Sequence, residues 1–179
     1  YVLFLGRLHP GKGLDLLGDA FGRLAARFPA VQLVACGPDQ GAAAPLRAAA
    51  ARHGYADRLH LPGARFGAEK HALLRHAAVF CLPSRHEGHS IATLEALAHG
   101  RPVVVSAACH CPEVATIGCG VVTPLDPVAI ADALAGLLAD PAAADAMGTR
   151  GRAWVLARHT WPAIAARTVA LYRELVSAR

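Results

Sequence analysis

Short apolar runs that alternate with longer amphipathic stretches are the feature that most restricts how this chain can fold. Six such runs occur, at residues 1–5, 31–36, 58–61, 78–82, 102–105 and 119–122. Apart from residues 58–61, they lack the strict alternation of a half-exposed strand, so together they predict strands that are buried on both faces. Because helical segments separate these strands, we predict an α/β fold with one parallel sheet and helices on both of its faces.

The segments between the runs carry helix signals. Apolar spacing, helix-favouring composition and capping residues predict helices over residues 14–28, 41–53, 67–76, 90–99 and 160–176, with two more that begin near residues 126 and 141. Ser90 is a suitable N-cap, and Gly100 stands where a helix end favours glycine. Ligands of parallel sheets bind beyond the carboxyl ends of the strands, so the important loops follow residues 5, 36, 61, 82 and 105.

Length and composition exclude several classes of protein. The 179 residues are 54% apolar and 17% charged, which suits a single folded domain and excludes intrinsic disorder. No apolar run approaches the ~20 residues that span a bilayer. The net charge of +5 favours anionic ligands, but scattered arginines and only 6% aromatic residues argue against a nucleic-acid partner.

The start of the chain and its cysteines predict the context of the protein. Tyr1 already lies inside an apolar run, so we expect a fragment of a longer protein. No cationic leader with a small-residue cleavage site is visible in these residues, so nothing in them predicts export. Five cysteines, an odd number, are typical of reduced thiols. We therefore expect a cytoplasmic protein and leave open a peripheral contact of the full-length protein with the inner membrane face.

The loop after the first run resembles a phosphate-binding loop without matching one. Residues 6–13 are one position short of a P-loop, because Gly13 stands where a hydroxyl would hold magnesium. Arg7 and Lys12 remain as two cations near the start of a helix, an arrangement that suits a diphosphate. The alternative is that both are solvated loop charges.

The loop after residue 82 is the most informative segment. Glu87 lies in the loop, and Glu95 lies eight positions later within the following helix. Gly88 would let a ligand approach the backbone, and Ser90 as N-cap would leave nearby amides facing the crevice. A carboxylate that accepts sugar hydroxyls, beside amides and two cations, suits a sugar joined to a phosphate. Taken singly, Glu95 is also explained as an exposed helix residue, and Glu87 as a carboxylate that favours the helix N-terminus.

In their order along the chain, these motifs are similar to those in the C-terminal half of retaining glycosyltransferases of family 4, which have the GT-B architecture. The resemblance covers essentially the whole chain. The matching pieces are Gly6-Arg7-Leu8, Lys12-Gly13, Cys36-Gly37-Pro38, Leu61-Pro62-Gly63, Leu82-Pro83-Ser84, Glu87 with Glu95, Gly100-Arg101-Pro102-Val103-Val104, Pro112-Glu113-Val114, Trp161 and Tyr172.

This resemblance implies a Rossmann-like domain that forms one half of a GT-B enzyme. Residues 1–179 would be a single nucleotide-sugar-binding domain, and the N-terminal acceptor domain would lie outside this chain, so the isolated fragment is expected to be inactive. The whole enzyme would transfer a hexose-type sugar from a nucleotide-diphosphate sugar to an acceptor, with retention of configuration and without a metal ion or other cofactor. Glycolipid or polysaccharide biosynthesis would be its setting.

The resemblance also implies roles for individual residues. Arg7 and Lys12 would hold the diphosphate, and Glu87 would contact hydroxyls of the sugar; these three are the predicted catalytic residues. Glu95 would bind the ribose. The remaining predicted donor-binding residues are Gly6, Gly63, Gly88, His89 and Ser90.

Two departures from the family pattern keep other functions open. Gly88-His89-Ser90 replaces the usual Gly-Phe-Gly, and His110-Cys111 replaces the usual Gly-Gly before Pro112. An epimerase-like isomerase of nucleotide sugars and a non-catalytic nucleotide-binding module are the alternatives. The cysteines at 109, 111 and 119 lack the C-x2-C spacing of structural zinc sites, so we predict no metal site.

Overall fold

The computed structural model describes residues 1–177 and contains one parallel sheet flanked by two layers of helices. Its strands are β1 (Val2–Leu5), β2 (Leu33–Cys36), β3 (Leu59–His60), β4 (Val79–Leu82), β5 (Val103–Ser106) and β6 (Gly120–Thr123). Each of the six predicted apolar runs contains most or all of one strand. The α/β prediction is therefore confirmed.

Eight α-helices lie within the described part of the chain. They are α1 (Leu14–Ala25), α2 (Ala43–Arg52), α3 (Gly67–His76), α4 (Ile91–Ala98), α5 (Glu113–Thr116), α6 (Pro127–Ala139), α7 (Pro141–Arg158) and α8 (Trp161–Ser177). Short 3₁₀ turns occur at Pro10–Lys12, Ala56–Arg58 and Ala107–Cys109. The sequence predicted seven of the eight α-helices; the four-residue α5 is too short to show a periodicity.

The strand order is β3-β2-β1-β4-β5-β6, and every neighbouring pair is parallel. From β1 the chain continues through β2 and β3 toward one side of the sheet, and from β4 it continues through β5 and β6 toward the other. This is the doubly wound Rossmann order, and the β1/β4 boundary is its topological switch point. A crevice therefore opens between the loops that leave these two strands.

The two helical layers sit on opposite faces of the sheet. Helix α1 packs against α2 and α6, whereas α4 packs against α3 and α7. Strands β1, β2, β4 and β5 are buried along their whole length, and Phe4, Phe21 and Phe80 are among the fully buried side chains. Each side chain of this size contributes about 1.5–3 kcal/mol on burial, so the sheet is a rigid platform for its loops.

Helix ends follow the capping signals in the sequence. The Ser90 Oγ accepts a hydrogen bond from the Thr93 amide at 3.2 Å, so Ser90 is the N-cap of α4 as predicted. Asp126 and Asp140 cap α6 and α7 in the same way, and a proline follows each of them. Gly100 has φ +70°, the left-handed conformation expected after a helix end.

Helix α8 differs from the rest because none of its residues is buried. Its large apolar side chains Leu171, Tyr172 and Leu175 are 53–63% exposed. Within residues 1–177, no single helix is both long and apolar enough to cross a membrane, and α6 and α7 meet that test only as a pair bent by 102°.

Candidate functional site

The loops that follow β1 and β4 are bound to each other across the switch point. The carbonyl oxygen of Gly11 accepts hydrogen bonds from the Arg85 amide at 2.8 Å and from the Ser84 hydroxyl at 3.1 Å. Gly13 has φ +71°, and a Cβ there would lie 2.0 Å from the carbonyl oxygen of Pro83. Glycine is therefore required at position 13 both for its conformation and for the close approach of the two loops.

This junction brings together two of the predicted catalytic residues. The Lys12 Nζ donates a hydrogen bond to the Glu87 Oε1, although 75 positions separate the residues in sequence. The two side chains are 20% and 11% exposed, so water screens this ion pair less than it screens a surface pair. An ammonium group has three donors, so Lys12 can hold Glu87 and still bind an anion.

A pocket of about 250 Å³ lies directly over this ion pair, and we call it the switch-point pocket. Among its lining residues are six of the predicted site residues, namely Gly6, Arg7, Lys12, Glu87, His89 and Ser90. Ile91 and Ala92, the first two residues of α4, line it as well. The positive end of the α4 dipole therefore adds to the charge of the two cations beside the pocket.

Glu87 is anchored from a third loop. Its amide donates a hydrogen bond at 3.2 Å to the carbonyl oxygen of Ala108, in the 3₁₀ turn after β5. The carboxylate thus projects from backbone that a hydrogen bond to the β5 loop holds in place. An arrangement of a fixed carboxylate, two cations and a helix N-terminus can bind a ligand that carries both hydroxyls and an anion.

Three predicted site residues lie outside the switch-point pocket. Gly63 lines a neighbouring pocket of about 320 Å³ beyond β2 and β3, and its carbonyl oxygen accepts from the Gly37 amide at 3.0 Å. Glu95 forms an ion pair with Lys70 of α3 at 2.6 Å. Gly88 is exposed and has no heavy atom within 4 Å of the position of a Cβ.

The exposed Arg7 lines the pocket as well but has a weaker tether than Lys12. Its Nη1 donates a long 3.4 Å hydrogen bond to the Gln40 Oε1. Gln40 belongs to the loop after β2, which pairs with the β1 loop through the Leu8 amide and the Pro38 carbonyl at 2.9 Å. Arg7 therefore links the switch-point pocket to the β2 loop, whose Pro38 lines the pocket that contains Gly63.

Arg85 and Asp15 form an ion pair beside the site, and the sequence motifs did not indicate it. The Arg85 guanidinium binds both carboxylate oxygens of Asp15, at 2.8 and 2.6 Å, and Pro10 accepts another hydrogen bond from it at 2.8 Å. Arg85 holds the pKa of Asp15 below its usual value. The pair joins the start of α1 to the β4 loop, and no local sequence signal marks a contact across 70 positions.

The five cysteines are unpaired, and four of them are buried. Burial raises the pKa of Cys109, whose thiol donates to the carbonyl oxygen of Leu82 at 3.4 Å. Burial also raises the pKa of Cys111, Cys119, Cys36 and Cys81. Within residues 1–177, no three His, Cys, Asp or Glu side chains are grouped so that they could hold a metal ion.

The fold and the crevice define a Rossmann-like α/β domain with a switch-point site suited to a nucleotide-type ligand. The sequence profile of the glycosyl transferases group 1 family matches residues 1–140, which is well over half of the chain. The chain therefore belongs to the group 1 glycosyltransferases, as its motifs predicted.

Curated relatives agree with this assignment. The chain is 34% identical over 174 residues to the MMP alpha-(1->4)-mannosyltransferase of Mycolicibacterium hassiacum, covering 94% of this chain and 41% of the relative. It is 36% identical over 193 residues to a GDP-mannose-dependent alpha-(1-6)-phosphatidylinositol monomannoside mannosyltransferase of Mycolicibacterium smegmatis, covering 99% of this chain and 48% of the relative. The chain thus spans somewhat less than half the length of these relatives.

Solved structures confirm the Rossmann-like fold expected for one half of a GT-B enzyme. Sucrose-phosphate synthase from Thermosynechococcus elongatus has a TM-score of 0.81 and 31% identity, with 99% of this chain and 46% of that chain covered. Anabaena HepE in complex with UDP has a TM-score of 0.86 at 21% identity, with 97% and 48% covered. The C-terminal domain of a group 1 glycosyl transferase from Francisella tularensis has a TM-score of 0.80 at 20% identity, with 90% and 87% covered. At 20–21% identity, the last two show the fold alone.

Proposed function

We propose that this chain is the donor-binding domain of a glycosyltransferase that moves a hexose-type sugar from a nucleotide-diphosphate sugar to an acceptor. The observation that carries the proposal is the Lys12–Glu87 ion pair, which lies across the switch point and beside the N-terminus of α4. A nucleotide-diphosphate sugar carries an anion and a set of hydroxyls next to each other, and the pocket offers a partner for each. Names of the relatives support a hexose, since several are mannosyltransferases.

In this proposal the two cations bind the diphosphate. Lys12 and Arg7 line one side of the pocket, and the first turn of α4 lines the other. As the bond between sugar and diphosphate breaks, negative charge develops on the departing phosphate. Preorganised cations and the helix end stabilise that charge more strongly than they stabilise the ground state, which lowers the barrier. We propose that these groups stabilise the leaving group without a metal ion.

Glu87 would orient the sugar. Its carboxylate accepts hydrogen bonds from sugar hydroxyls, and its anchoring to Ala108 fixes the position of the ring relative to the diphosphate. His89 and the N-cap Ser90 complete the same wall. We propose retention of anomeric configuration because this is the outcome in the family that the motifs resemble.

Glu95 and Gly63 would contact the nucleoside. Gly63 lines the pocket beyond β2 and β3, and Arg7 of the switch-point pocket bonds to Gln40 in the adjoining β2 loop. Glu95 would exchange its Lys70 partner for hydroxyls of the ribose, or retain Lys70 as a bridge to them. The base would then lie against the loops after β2 and β3. Gly88, which has no side chain, would leave room beside the sugar.

The remaining half of the enzyme would supply the acceptor site. The chain spans 41–48% of its relatives, and α8 exposes Leu171, Tyr172 and Leu175. We propose that this apolar face packs on the rest of the longer protein. Cysteines that are buried as thiols support a cytoplasmic location, and relatives that act on phosphatidylinositol compounds support contact with a membrane surface.

Calorimetry and product analysis on the full-length protein test this proposal. We expect one nucleoside diphosphate from a panel of GDP, UDP and ADP to bind, and the matching sugar nucleotide to be consumed only when an acceptor is present. Release of an epimerised sugar would identify the isomerase alternative, and tight nucleotide binding without turnover would identify the non-catalytic module. Failure of every nucleotide to bind would overturn the proposal.

A further inference from the structure

A second cavity, of about 890 Å³, lies away from the switch-point pocket. It is lined by the end of α3, by residues 98–101 between α4 and β5, and by one face of α7. Residues 98–101 precede a strand, whereas the switch-point loops follow strands. In a parallel sheet these two kinds of connection meet opposite edges, so we call this space the amino-edge cavity.

The charged residues of the amino-edge cavity are mostly of one sign. Arg75, Arg101 and Arg152 line it, and Asp145 is the acidic residue among its lining residues. Within residues 1–177, none of these three arginines has a carboxylate oxygen within 4.0 Å. Guanidinium groups that line one space repel each other, and an anion between them would relieve that repulsion.

Hydrogen bonds to backbone carbonyls hold two of these arginines in place. The Arg101 Nε donates to the His99 carbonyl and its Nη1 to the Ala77 carbonyl, both at 3.2 Å. The Arg152 Nε donates to the Ala98 carbonyl at 3.1 Å. These bonds explain how the end of α4 is capped, but they use only three of the ten N–H groups that two arginines carry.

Helix α7 is locked against this connection by a glycine. A Cβ at Gly148 would lie 2.0 Å from the carbonyl oxygen of Gly100, so the helix can approach this closely only without a side chain at position 148. Arg152 stands four residues later and therefore on the same face of α7. The spacing between Arg101 and Arg152 is thus set by rigid backbone rather than by mobile loops.

We propose that the amino-edge cavity is a binding site for a phosphate group carried by a small phosphorylated compound or by a lipid headgroup. Planar guanidinium groups bind phosphate oxygens in pairs, and here at least two of them are prepositioned. The cavity is larger than a bare phosphate needs and falls within the range of small-molecule sites, so it would also hold a polyol attached to the phosphate. This site is independent of the proposed sugar-donor site at the opposite edge.

Nuclear magnetic resonance of the full-length protein, titrated with inorganic phosphate, tests the site directly. We expect phosphate to shift the amide resonances of Gly100 and Arg101. The double variant Arg75→Gln/Arg152→Gln should weaken the affinity at these resonances by about tenfold or more. Asp145→Asn removes an opposing charge and should strengthen it by a few-fold.

Arg150→Gln is the matched control. Arg150 lies on the same helix and also donates its Nε to a carbonyl, that of Gly118, but it does not line the cavity. Amides of residues 87–90 report the switch-point pocket in the same spectra, so phosphate binding there cannot be mistaken for binding at the amino edge. Unshifted Gly100 and Arg101 resonances, or equal affinities in the wild type and the double variant, would overturn the proposal.

Vesicle flotation distinguishes the two sources of phosphate. Binding to phosphatidylcholine vesicles that contain phosphatidylinositol, but not to phosphatidylcholine alone, would identify a lipid headgroup if Arg75→Gln/Arg152→Gln abolished it and Arg150→Gln did not. Phosphate-induced shifts without vesicle binding would identify a soluble phosphorylated compound.

Discussion

Positive side chains have different partners at the two edges of the sheet. At the carboxyl edge, Lys12 meets Glu87 in a largely buried ion pair. At the amino edge, Arg101 and Arg152 donate to carbonyl groups and have no carboxylate in range within residues 1–177. Paired charge suits a ligand with both an anion and hydroxyls, whereas charge of one sign is balanced only by an anion. The difference teaches that the same sheet presents two surfaces of distinct charge chemistry, which suit different ligands.

Removal of the Lys12 ammonium at the carboxyl edge should have the largest measurable effect. We expect Lys12→Ala to lower kcat/KM of the full-length enzyme by about a hundredfold or more, since loss of one such contact costs about 2.7–4 kcal/mol of transition-state stabilisation. Arg23→Ala, an exposed change on α1, is the control and should leave the rate unchanged. A Lys12→Ala enzyme as fast as the wild type would remove Lys12 from the mechanism.

At each edge a glycine lets two backbone segments come into close contact, Gly13 at the carboxyl edge and Gly148 at the amino edge. A substitution at Gly13 measures how much this contact contributes to the free energy of unfolding. Gly13 and Gly54 both have φ +71°, but only Gly13 has neighbouring atoms where a Cβ would stand. Gly54→Ala should therefore lower the free energy of unfolding by about 1 kcal/mol from backbone strain alone. Gly13→Ala should lower it by about 3 kcal/mol, because the clash with Pro83 adds about 1–3 kcal/mol.

Chemical denaturation of the two glycine variants supplies this measurement. Equal losses would show that the loops after β1 and β4 can separate without cost. That result would contradict a rigid junction beneath the Lys12–Glu87 pair.

The smallest expected effect concerns the Asp15–Arg85 pair at the carboxyl edge. Because Arg85 lowers the pKa of Asp15 in the folded state, the ion pair stabilises the fold at pH values above the unfolded pKa of about 4. That stabilisation is lost as the pH falls through the lower folded pKa. Both side chains are about half exposed, so Asp15→Asn should cost only about 0.5 kcal/mol at pH 7.

Denaturant unfolding at a series of pH values checks the sign of this effect. The gap between the wild type and Asp15→Asn should be widest at neutral pH and should close as Asp15 becomes protonated in acid. A gap that widened on acidification would contradict the assigned direction of the pKa shift.

Much of the fold could be predicted from local patterns. Burial on both faces leaves continuous apolar runs such as residues 79–82, and capping chemistry marks Ser90 and Asp126. Predicted strand ends were off by up to two residues. The run at 58–61, for example, pairs only at 59–60, because β3 is an edge strand with a short ladder to β2.

The candidate site also combines features that the sequence predicts with features that only the fold decides. The identities of Arg7, Lys12 and Glu87 follow from motif position, yet their roles stay predictions. Their meeting depends on the order of β1 and β4 in the sheet, which local signals do not encode. The Lys70 partner of Glu95 was not predicted for the same reason, since the packing of α3 against α4 depends on the fold rather than on local signals.

The sequence by itself determined the alternation of strands and helices, the helix caps and the residue types available at each loop, because these depend on interactions between near neighbours. Tertiary structure alone decided which charges are neutralised. Lys12 and Glu87 are 75 positions apart and meet across a junction that Gly13 and Pro83 close. Arg101 and Arg152 line one cavity because Gly148 lets α7 approach the backbone at Gly100. Such contacts arise between distant segments, so their physical cause is the packing of rigid elements rather than any local pattern.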